Sequence, residues 1–326
     1  MRRRDVLKLG LAASATALAA PSVRAQAYPS RPVKLVVPFA AGGVNDIVGR
    51  QWAEKVKGAL GNVYVENHGG GGGTIGVMEA KRQDADGHTV LFGSASTMVL
   101  NEMTRTTLHY DPRKDFVPIA VFCVTTASIA VHPSVPAKNL QELVAHIKAN
   151  AGKLTFGSAG TGTMSHLTGE LFKLKTGLKD LTHVPYKGAG PGMADLVSGH
   201  IPIMSPNISK QVLNFHDGGK IRVLAAASPK RLKGAPTIPT GIEQGIPDFV
   251  GQLFLGIFVR AGTPKPAIDK ITEATRAAMA DAAFEKFLLD SGFEPVSYIG
   301  ADAGLKYMAE EFKRWKPVVD AIGLKV

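Results

Sequence analysis

Short apolar runs alternate with amphipathic segments of helical length along residues 28–125. A short apolar run predicts a buried strand, and apolar residues three or four positions apart predict a helix. Together they predict an α/β lobe with a mainly parallel sheet. The predicted strands are Val33–Val37, Val63–Glu66 and Thr89–Gly93, and the predicted helices lie near Val44–Leu60 and Thr74–Gln83.

The same alternation restarts after a Pro-containing turn near residue 135. Asn139–Asn150 is predicted to be an amphipathic helix that Asn139 caps. A polar, Pro-rich loop is expected over Ser228–Pro247. Further strands are predicted at Leu154–Gly157, Thr182–Tyr186, Ile201–Met204 and Ile221–Ala226. Helices are predicted within Gly160–Lys175 and over Pro191–Ser198, Pro266–Ala280, Ala283–Ser291 and Ala301–Ile322.

Two apolar runs are too long for one ordinary strand, Val117–Val131 and Phe249–Arg260. We interpret them as hinge strands that join two α/β lobes, each with a mainly parallel sheet flanked by helices. Residues 28–125 and 252–326 would form the first lobe, and residues 126–251 the second. A ligand is expected in the cleft between the lobes.

The first 27 residues have the pattern of a cleaved export signal. A basic start, Arg2-Arg3-Arg4, precedes an apolar stretch of about 12 residues, Leu9–Ala20, and the A-x-A site Ala25-Gln26-Ala27. The segment Arg3–Lys8 is similar to a twin-arginine signal, and a general secretory signal is the alternative. Either signal predicts a periplasmic protein beginning near Tyr28.

Composition narrows the possible functions. The net charge of +11 becomes +7 once the five basic residues and one acidic residue of the signal are removed. This excess could attract an anionic ligand, but the scattered basic residues and the 7% aromatic content argue against nucleic-acid binding. Cys123 is the only cysteine, which excludes an intrachain disulfide and a thiolate metal site. It is predicted to be a core residue.

A small-residue loop follows the first predicted strand. Phe39 and the loop Ala40-Ala41-Gly42-Gly43 precede a helix for which Asn45 and Asp46 are candidate caps. Glycines allow backbone N–H groups to approach a ligand, and a helix N-terminus favours negative charge. The alternative is an ordinary strand-to-helix turn.

Two further strand ends carry hydroxyl clusters. Ser94, Ser96 and Thr97 end one strand, and a second loop carries Ser158, Ala159, Gly160, Thr161, Thr163 and His166. Hydroxyls and glycine N–H groups suit a carboxylate, although each cluster alone is also typical of a capped turn. The second loop lacks the lysine of a P-loop and the first glycine of a nucleophile elbow.

Catalytic motifs are weakly represented. Ser165 and His166 are neighbours on a helix, so their side chains diverge by about 100° and do not form a dyad. Tyr186 ends a predicted strand and Asp195 lies on the short helix that follows, where it could accept from a ligand amine or hydroxyl or cap the opposite loop. An exported hydrolase or transferase using a hydroxyl of the Ser158 loop is the alternative, and it requires a base within about 3 Å.

These residues resemble the substrate-binding proteins of tripartite tricarboxylate transporters, the Bug family. The resemblance covers nearly the whole chain after the signal. It rests on Tyr28–Val33, Pro38–Gly43 with Asp46 and Arg50, Glu66-Asn67, Asp86–Thr89, Gly157–Gly160 with His166-Leu167, Val184–Gly188, Asp195–Gly199, Pro236–Thr240 and Glu243–Gly245.

The resemblance implies a type II periplasmic-binding-protein-like fold that closes on a small carboxylate and delivers it to a membrane permease. We also expect a monomer with no cofactor, metal or catalytic residue. A subunit that passes the ligand signal to a membrane partner is a further alternative. Val44-Asn45, Gly190–Met193 and Ser205-Pro206-Asn207 depart from the family pattern. The expected ligand contacts are Phe39, Ala40, Ala41, Gly42, Gly43, Asn45, Asp46, Ser94, Ser96, Thr97, Ser158, Ala159, Gly160, Thr161, Thr163, His166, Tyr186, Asp195 and Asn207.

Overall fold

The computed structural model describes residues 28–326 as two β-sheets flanked by helices. The expected signal, with its twin-arginine motif and cleavage site, lies outside these residues. The strands are β1 (Val33–Val37), β2 (Val63–Asn67), β3 (Thr89–Ser94), β4 (Phe116–Thr126), β5 (Ser128–Val131), β6 (Thr155–Ser158), β7 (Thr182–Pro185), β8 (Ile203–Met204), β9 (Arg222–Ala226), β10 (Gln252–Arg260) and β11 (Glu294–Ile299).

The helices pack on the faces of these sheets. Asn139 caps its helix as expected, accepting the Glu142 N–H at 2.8 Å. The helices are α1 (Val44–Leu60), α2 (Thr74–Arg82), α3 (Asn101–Thr104), α4 (Leu140–Ala149), α5 (Met164–Thr176), α6 (Ala189–Ser198), α7 (Lys210–Asp217), α8 (Lys265–Met279), α9 (Ala282–Asp290) and α10 (Ala301–Ile322).

Both sheets are mixed, rather than mainly parallel as expected. The first has the order β11-β4-β10-β3-β1-β2, and only β1 pairs in parallel, with β2 and β3. The second has the order β7-β6-β8-β5-β9, and only β6 pairs in parallel, with β7 and β8. The antiparallel pairings involve β4, β5 and β10, which lie where the chain passes between the sheets.

The chain passes between the sheets at two adjacent points. Ala127 alone separates β4, in the first sheet, from β5, in the second. Its N–H donates to the Gly251 carbonyl at 2.8 Å, and the Gly251 N–H donates to the Ala227 carbonyl at 2.8 Å. The two connections are therefore hydrogen-bonded side by side. The run Phe249–Arg260 becomes a strand only from Gln252, and it pairs only within the first sheet.

Each sheet has its own apolar core. Trp52, Phe92 and Phe258 are buried in the first, and Phe156 and Phe172 in the second. Full burial of such a side chain contributes about 1.5–3 kcal/mol.

The last helix joins the two cores. Trp315 and Val319 of α10 belong to the first core, while Val318 and Ile322 pack against the second. Cys123 is buried as expected, and burial raises the pKa of its thiol.

Several elements differ from the sequence-based expectation. Strand β11 was not predicted, because Pro295 interrupts its pattern and none of its six residues is fully buried. Helix α7 was not predicted either, because Val212 is its only buried residue. A π-helical turn, Ser96–Leu100, precedes α3. Every helix in the described part of the chain is too short or too polar to cross a lipid bilayer.

Candidate functional site

A cavity of about 20 Å³ lies between the two sheets, a volume close to that of one water molecule. Residues from both sides of the chain crossing line it. They are Phe39, Gly43, Val44, Asn45, Ser96, Ala159, Thr163, Ser165, Ala189, Asn207 and Leu253.

Three helices begin at this cavity. Gly43 is the N-cap of α1, Thr163 is the N-cap of α5, and Ala189 is the first residue of α6. The first N–H groups of a helix have no partner within it, and the helix dipole adds partial positive charge. The cavity therefore combines three sources of positive potential without a basic side chain.

The remaining lining is neutral. Phe39, Val44 and Leu253 are apolar, and the polar side chains are hydroxyls and carboxamides. Within residues 28–326, none of the side chains that line this cavity carries a formal charge. Such a surface can hold an anion through N–H and O–H donors, with little space for bulk water.

Asp46 supports the loop of the first sheet. Its carboxylate accepts from the Gly42 N–H at 3.0 Å, Arg50 Nε at 2.9 Å and Asn67 Nδ2 at 2.9 Å. Burial alone would raise its pKa, but these hydrogen bonds hold the pKa below its ordinary value. The prediction that Asn45 or Asp46 caps the helix is wrong, because α1 begins after Gly43 without a side-chain cap and the Asp46 carboxylate accepts instead from the Gly42 N–H of the preceding loop. Asp46 does not line the cavity and is positioned to shape the loop.

Two stacked histidines support the loop of the second sheet. The rings of His166 and His183 have centroids 3.6 Å apart. His166 Nδ1 accepts the Gly162 N–H at 3.1 Å, and Ser165 Oγ accepts the Ala159 N–H at 2.8 Å. His166 is 3% exposed, so it supports the loop from beneath. As expected, Ser165 and His166 do not form a dyad, because they bind different loop amides.

A possible base does lie beside Ser158, since His183 Nε2 is 2.6 Å from Ser158 Oγ. This pair does not have the properties of a nucleophile and base. Ser158 is fully buried, and its Oγ accepts the Gly160 N–H at 3.1 Å. Burial, with a contribution from nearby His166, lowers the pKa of His183 to about 3. The pair holds the loop and does not open onto the cavity.

Tyr186 and Asp195 form a separate pair. The Tyr186 hydroxyl donates to Asp195 Oδ2 at 2.7 Å. Burial and this bond raise the pKa of Tyr186 to about 12, and the bonds from Tyr186 and His200 lower the pKa of Asp195. Neither side chain lines the cavity, so the pair connects β7 to α6.

Hydrogen bonds between the two sides form a seam next to the cavity. The Ala40 N–H donates to the Lys187 carbonyl at 3.1 Å, and the Met164 N–H donates to Ser96 Oγ at 3.1 Å. Arg105 Nη2 donates to the Thr161 carbonyl at 3.4 Å. These bonds cross between the two sheets, so the structure is a closed arrangement.

Glycines allow this close approach. A Cβ on Gly72 would lie 2.4 Å from the Thr161 carbonyl oxygen, and one on Gly190 would lie 2.1 Å from that of Ala41. The glycine run Gly69–Gly73, expected to be structural, contributes to the seam rather than to the cavity lining.

The structure thus separates the expected ligand contacts into two groups. Those that line the cavity are Phe39, Gly43, Asn45, Ser96, Ala159, Thr163 and Asn207. Those that do not line the cavity are Ala40, Ala41, Gly42, Asp46, Ser94, Thr97, Ser158, Gly160, Thr161, His166, Tyr186 and Asp195. Thr97, for example, accepts the Ser94 N–H at 3.1 Å.

Four lining residues were not expected: Val44, Ser165, Ala189 and Leu253. The first three lie in the first turns of helices that follow small-residue loops, which is a signal the sequence does contain. Leu253 lies on β10 near the chain crossing, and no local pattern identifies it.

Comparison with known proteins agrees with this architecture. Residues 48–324 match the family model described as the tripartite tricarboxylate transporter family receptor, TctC. The chain is 31% identical to Protein BugT of Bordetella pertussis, over 98% of this chain and 97% of BugT.

Solved structures are similar over almost their whole length. The structure of the periplasmic binding protein BugD has a TM-score of 0.86 and 32% identity, covering 91% of this chain and 99% of BugD. MatC from Rhodopseudomonas palustris, solved with bound malate, has a TM-score of 0.83 and 29% identity, covering 90% and 100%. Rpa4515 from R. palustris, solved with adipate, has a TM-score of 0.86 and 28% identity, covering 91% and 99%.

The matched family and structures are solute-binding receptors of periplasmic type, and the chain is a receptor rather than an enzyme. The family model covers most of the chain, and the chain therefore belongs to the tripartite tricarboxylate transporter receptor family.

Proposed function

We propose that this receptor captures a small carboxylate between its two lobes and delivers it to the membrane component of a tripartite transporter. The observation that carries the proposal is the meeting of three helix N-termini, those of α1, α5 and α6, at one neutral cavity. The malate and adipate bound by two relatives support a carboxylate as the ligand class.

The binding energy would come from dipoles and hydrogen bonds. An anion near one helix N-terminus gains about 0.3–1 kcal/mol at the surface and up to about 2 kcal/mol when partly buried. Hydrogen bonds to a charged group contribute about 1.5–3 kcal/mol each. Ser96 and Ser165 line the cavity from opposite lobes, and their Oγ atoms accept the Met164 and Ala159 N–H groups, so each hydroxyl would keep its own proton for the same anion.

Binding would require the lobes to separate and close again. The cavity of about 20 Å³ holds one water, so an acid of several carbons enters only a more open form. We propose residues 28–125 with 252–326 as one lobe and 126–251 as the other, with the paired connections at Ala127 and Gly251 as the hinge. A ligand favours closure only through contacts that it gains in the closed form.

Export and assembly complete the proposal. Residues 1–27 would direct export, by the twin-arginine route, and would be removed before Tyr28. The mature receptor would act as a monomer that presents its ligand to the permease.

The test is a thermal-shift screen of the protein against mono-, di- and tricarboxylic acids, aromatic acids and amino acids, followed by calorimetry. A ligand at about 100 times Kd stabilises the folded state by about 2.7 kcal/mol, which raises Tm by several degrees. The expected result is a shift with at least one carboxylate and a smaller radius of gyration on binding. Failure of every carboxylate to bind would contradict the proposal.

A further inference from the structure

Two carboxamides, one from each side of the chain crossing, line the cavity with an unpaired oxygen. Asn45 is 5% exposed and Asn207 is 7% exposed. Within the described residues, Oδ1 of each has no hydrogen-bond partner. Buried amide oxygens are normally paired, and leaving one unpaired costs about 1–3 kcal/mol. Each oxygen therefore calls for a donor, which a molecule in the cavity can supply.

The backbone holds both carboxamides in place. Asn45 is the second residue of the 17-residue helix α1. Asn207 lies between two anchored residues, since the Pro206 carbonyl accepts from the Ser128 N–H at 2.9 Å and the Ile208 N–H donates to the Thr126 carbonyl at 2.7 Å. The two groups are thus fixed features of opposite walls.

We infer that the carboxylate recognised by this receptor carries a hydroxyl group, which Asn45 and Asn207 bind; this rests on the proposed function. A second carboxylate has no proton to donate to an amide oxygen. A hydroxyl has one proton, so it would donate to the oxygen of one carboxamide and accept from the NH₂ group of the other, which the two orientations of a carboxamide allow.

An ammonium group fits the cavity poorly. It would donate to the carboxamides, but its charge would be buried among three positive helix ends. Asp46, the residue after Asn45, already accepts from Arg50, Asn67 and the Gly42 N–H, and it does not line the cavity. The site therefore selects against amino acids.

Calorimetry with matched ligands tests the inference on the unmodified protein. The pairs are lactate against propanoate and malate against succinate, with alanine and aspartate as the amino counterparts. The hydroxy acid is expected to bind between about 5-fold and 150-fold more tightly than its plain counterpart, the range that corresponds to pairing one buried amide. The amino acids are expected to bind most weakly.

Variants assign the preference to the two residues. Asn45→Leu and Asn207→Leu keep a similar volume and remove the carboxamide. Each is expected to reduce the hydroxyl preference to less than about threefold while the plain acid still binds. Asn62→Ala, at an exposed turn before β2, is the control and should leave the preference unchanged. Melting curves establish that each variant is folded.

The results of these experiments distinguish a failure of this inference from a failure of the proposed function. Equal affinities within both pairs, or tightest binding of an amino acid, would overturn this inference and leave the proposed function standing. The absence of binding by all carboxylates would overturn both. A hydroxyl preference that survives in both leucine variants would overturn the role of Asn45 and Asn207.

Discussion

The closed seam makes a sharp prediction at Gly190. This residue is the second of α6, and its backbone lies against the loop of the first sheet. An added Cβ would lie 2.1 Å from the Ala41 carbonyl oxygen, whereas real Cβ atoms essentially never come within 3.0 Å of another heavy atom. Gly190→Ala therefore requires the two sides to stand at least about 0.9 Å further apart, or the loop to shift by that amount.

Gly190→Ala should destabilise the closed form of the protein but not its folded state. The clashing oxygen belongs to the other lobe, and alanine is a better helix former than glycine. Overpacking of this kind costs about 1–3 kcal/mol, which corresponds to an affinity loss of about 5-fold to 150-fold. The melting temperature without ligand should change by no more than a few degrees.

Calorimetry with the tightest acid from the screen measures the affinity loss, and small-angle scattering measures the contraction on binding. Gly58→Ala is the matched control, because Gly58 lies in α1 with no atom within 4 Å of its added Cβ. The control should keep full affinity and contraction. If Gly190→Ala binds the ligand with unchanged affinity and contracts normally, the two lobes do not meet at Gly190 and Ala41 in the ligand-bound form.

Three further predictions concern the supports of the site. Ser96→Ala removes the acceptor of the Met164 N–H across the seam. Calorimetry should show a ligand affinity about 5-fold to 150-fold lower, which corresponds to about 1–3 kcal/mol. Unchanged affinity would contradict a contribution of the Ser96–Met164 bond to closure. Asp46→Ala should lower the free energy of unfolding, measured by urea titration at pH 7, by about 1.5–3 kcal/mol, because Arg50 and two other donors lose a charged acceptor. An effect below about 0.5 kcal/mol would contradict the role of Asp46 in holding its loop. The pKa of His183 is lowered to about 3 in the folded protein, so the unfolded chain binds the proton first as pH falls below about 6.5. Stability should therefore fall as the pH is lowered from about 6.5 towards about 3, and Tm should fall less in His183→Gln. Parallel Tm profiles of the two proteins would contradict the lowered pKa of His183.

Much of the fold could be predicted from local sequence patterns. Val33–Val37 could be predicted as a strand because four of its five residues are apolar and prolines flank it, and the structure gives the same bounds. The helix that follows was expected near Val44–Leu60 and has those bounds. Strand β11 was missed because its stability comes from pairing with β4, a partner about 170 residues earlier in the chain.

The site could be predicted only in part, because it too depends on contacts between residues that are distant in the sequence. Loops that join a strand to a helix were visible as glycine and hydroxyl clusters, which located Gly43, Ser96 and Thr163. Which residue of a loop reaches the cavity depends on how the lobes meet. Asp46 turned inward to hold its loop, while Leu253 entered the lining from a strand with no polar signal.

The same division between seam and cavity explains how closure can depend on the ligand. The seam bond from the Ala40 N–H to the Lys187 carbonyl joins two backbone groups that water can satisfy equally well in an open form, so its net contribution is small. The cavity groups differ, because Asn45 and Asn207 are left unpaired once the lobes close. Closing without a ligand therefore carries a penalty that a suitable ligand removes, and this difference shifts the population towards the closed form. Selectivity and closure then depend on the same buried polar atoms.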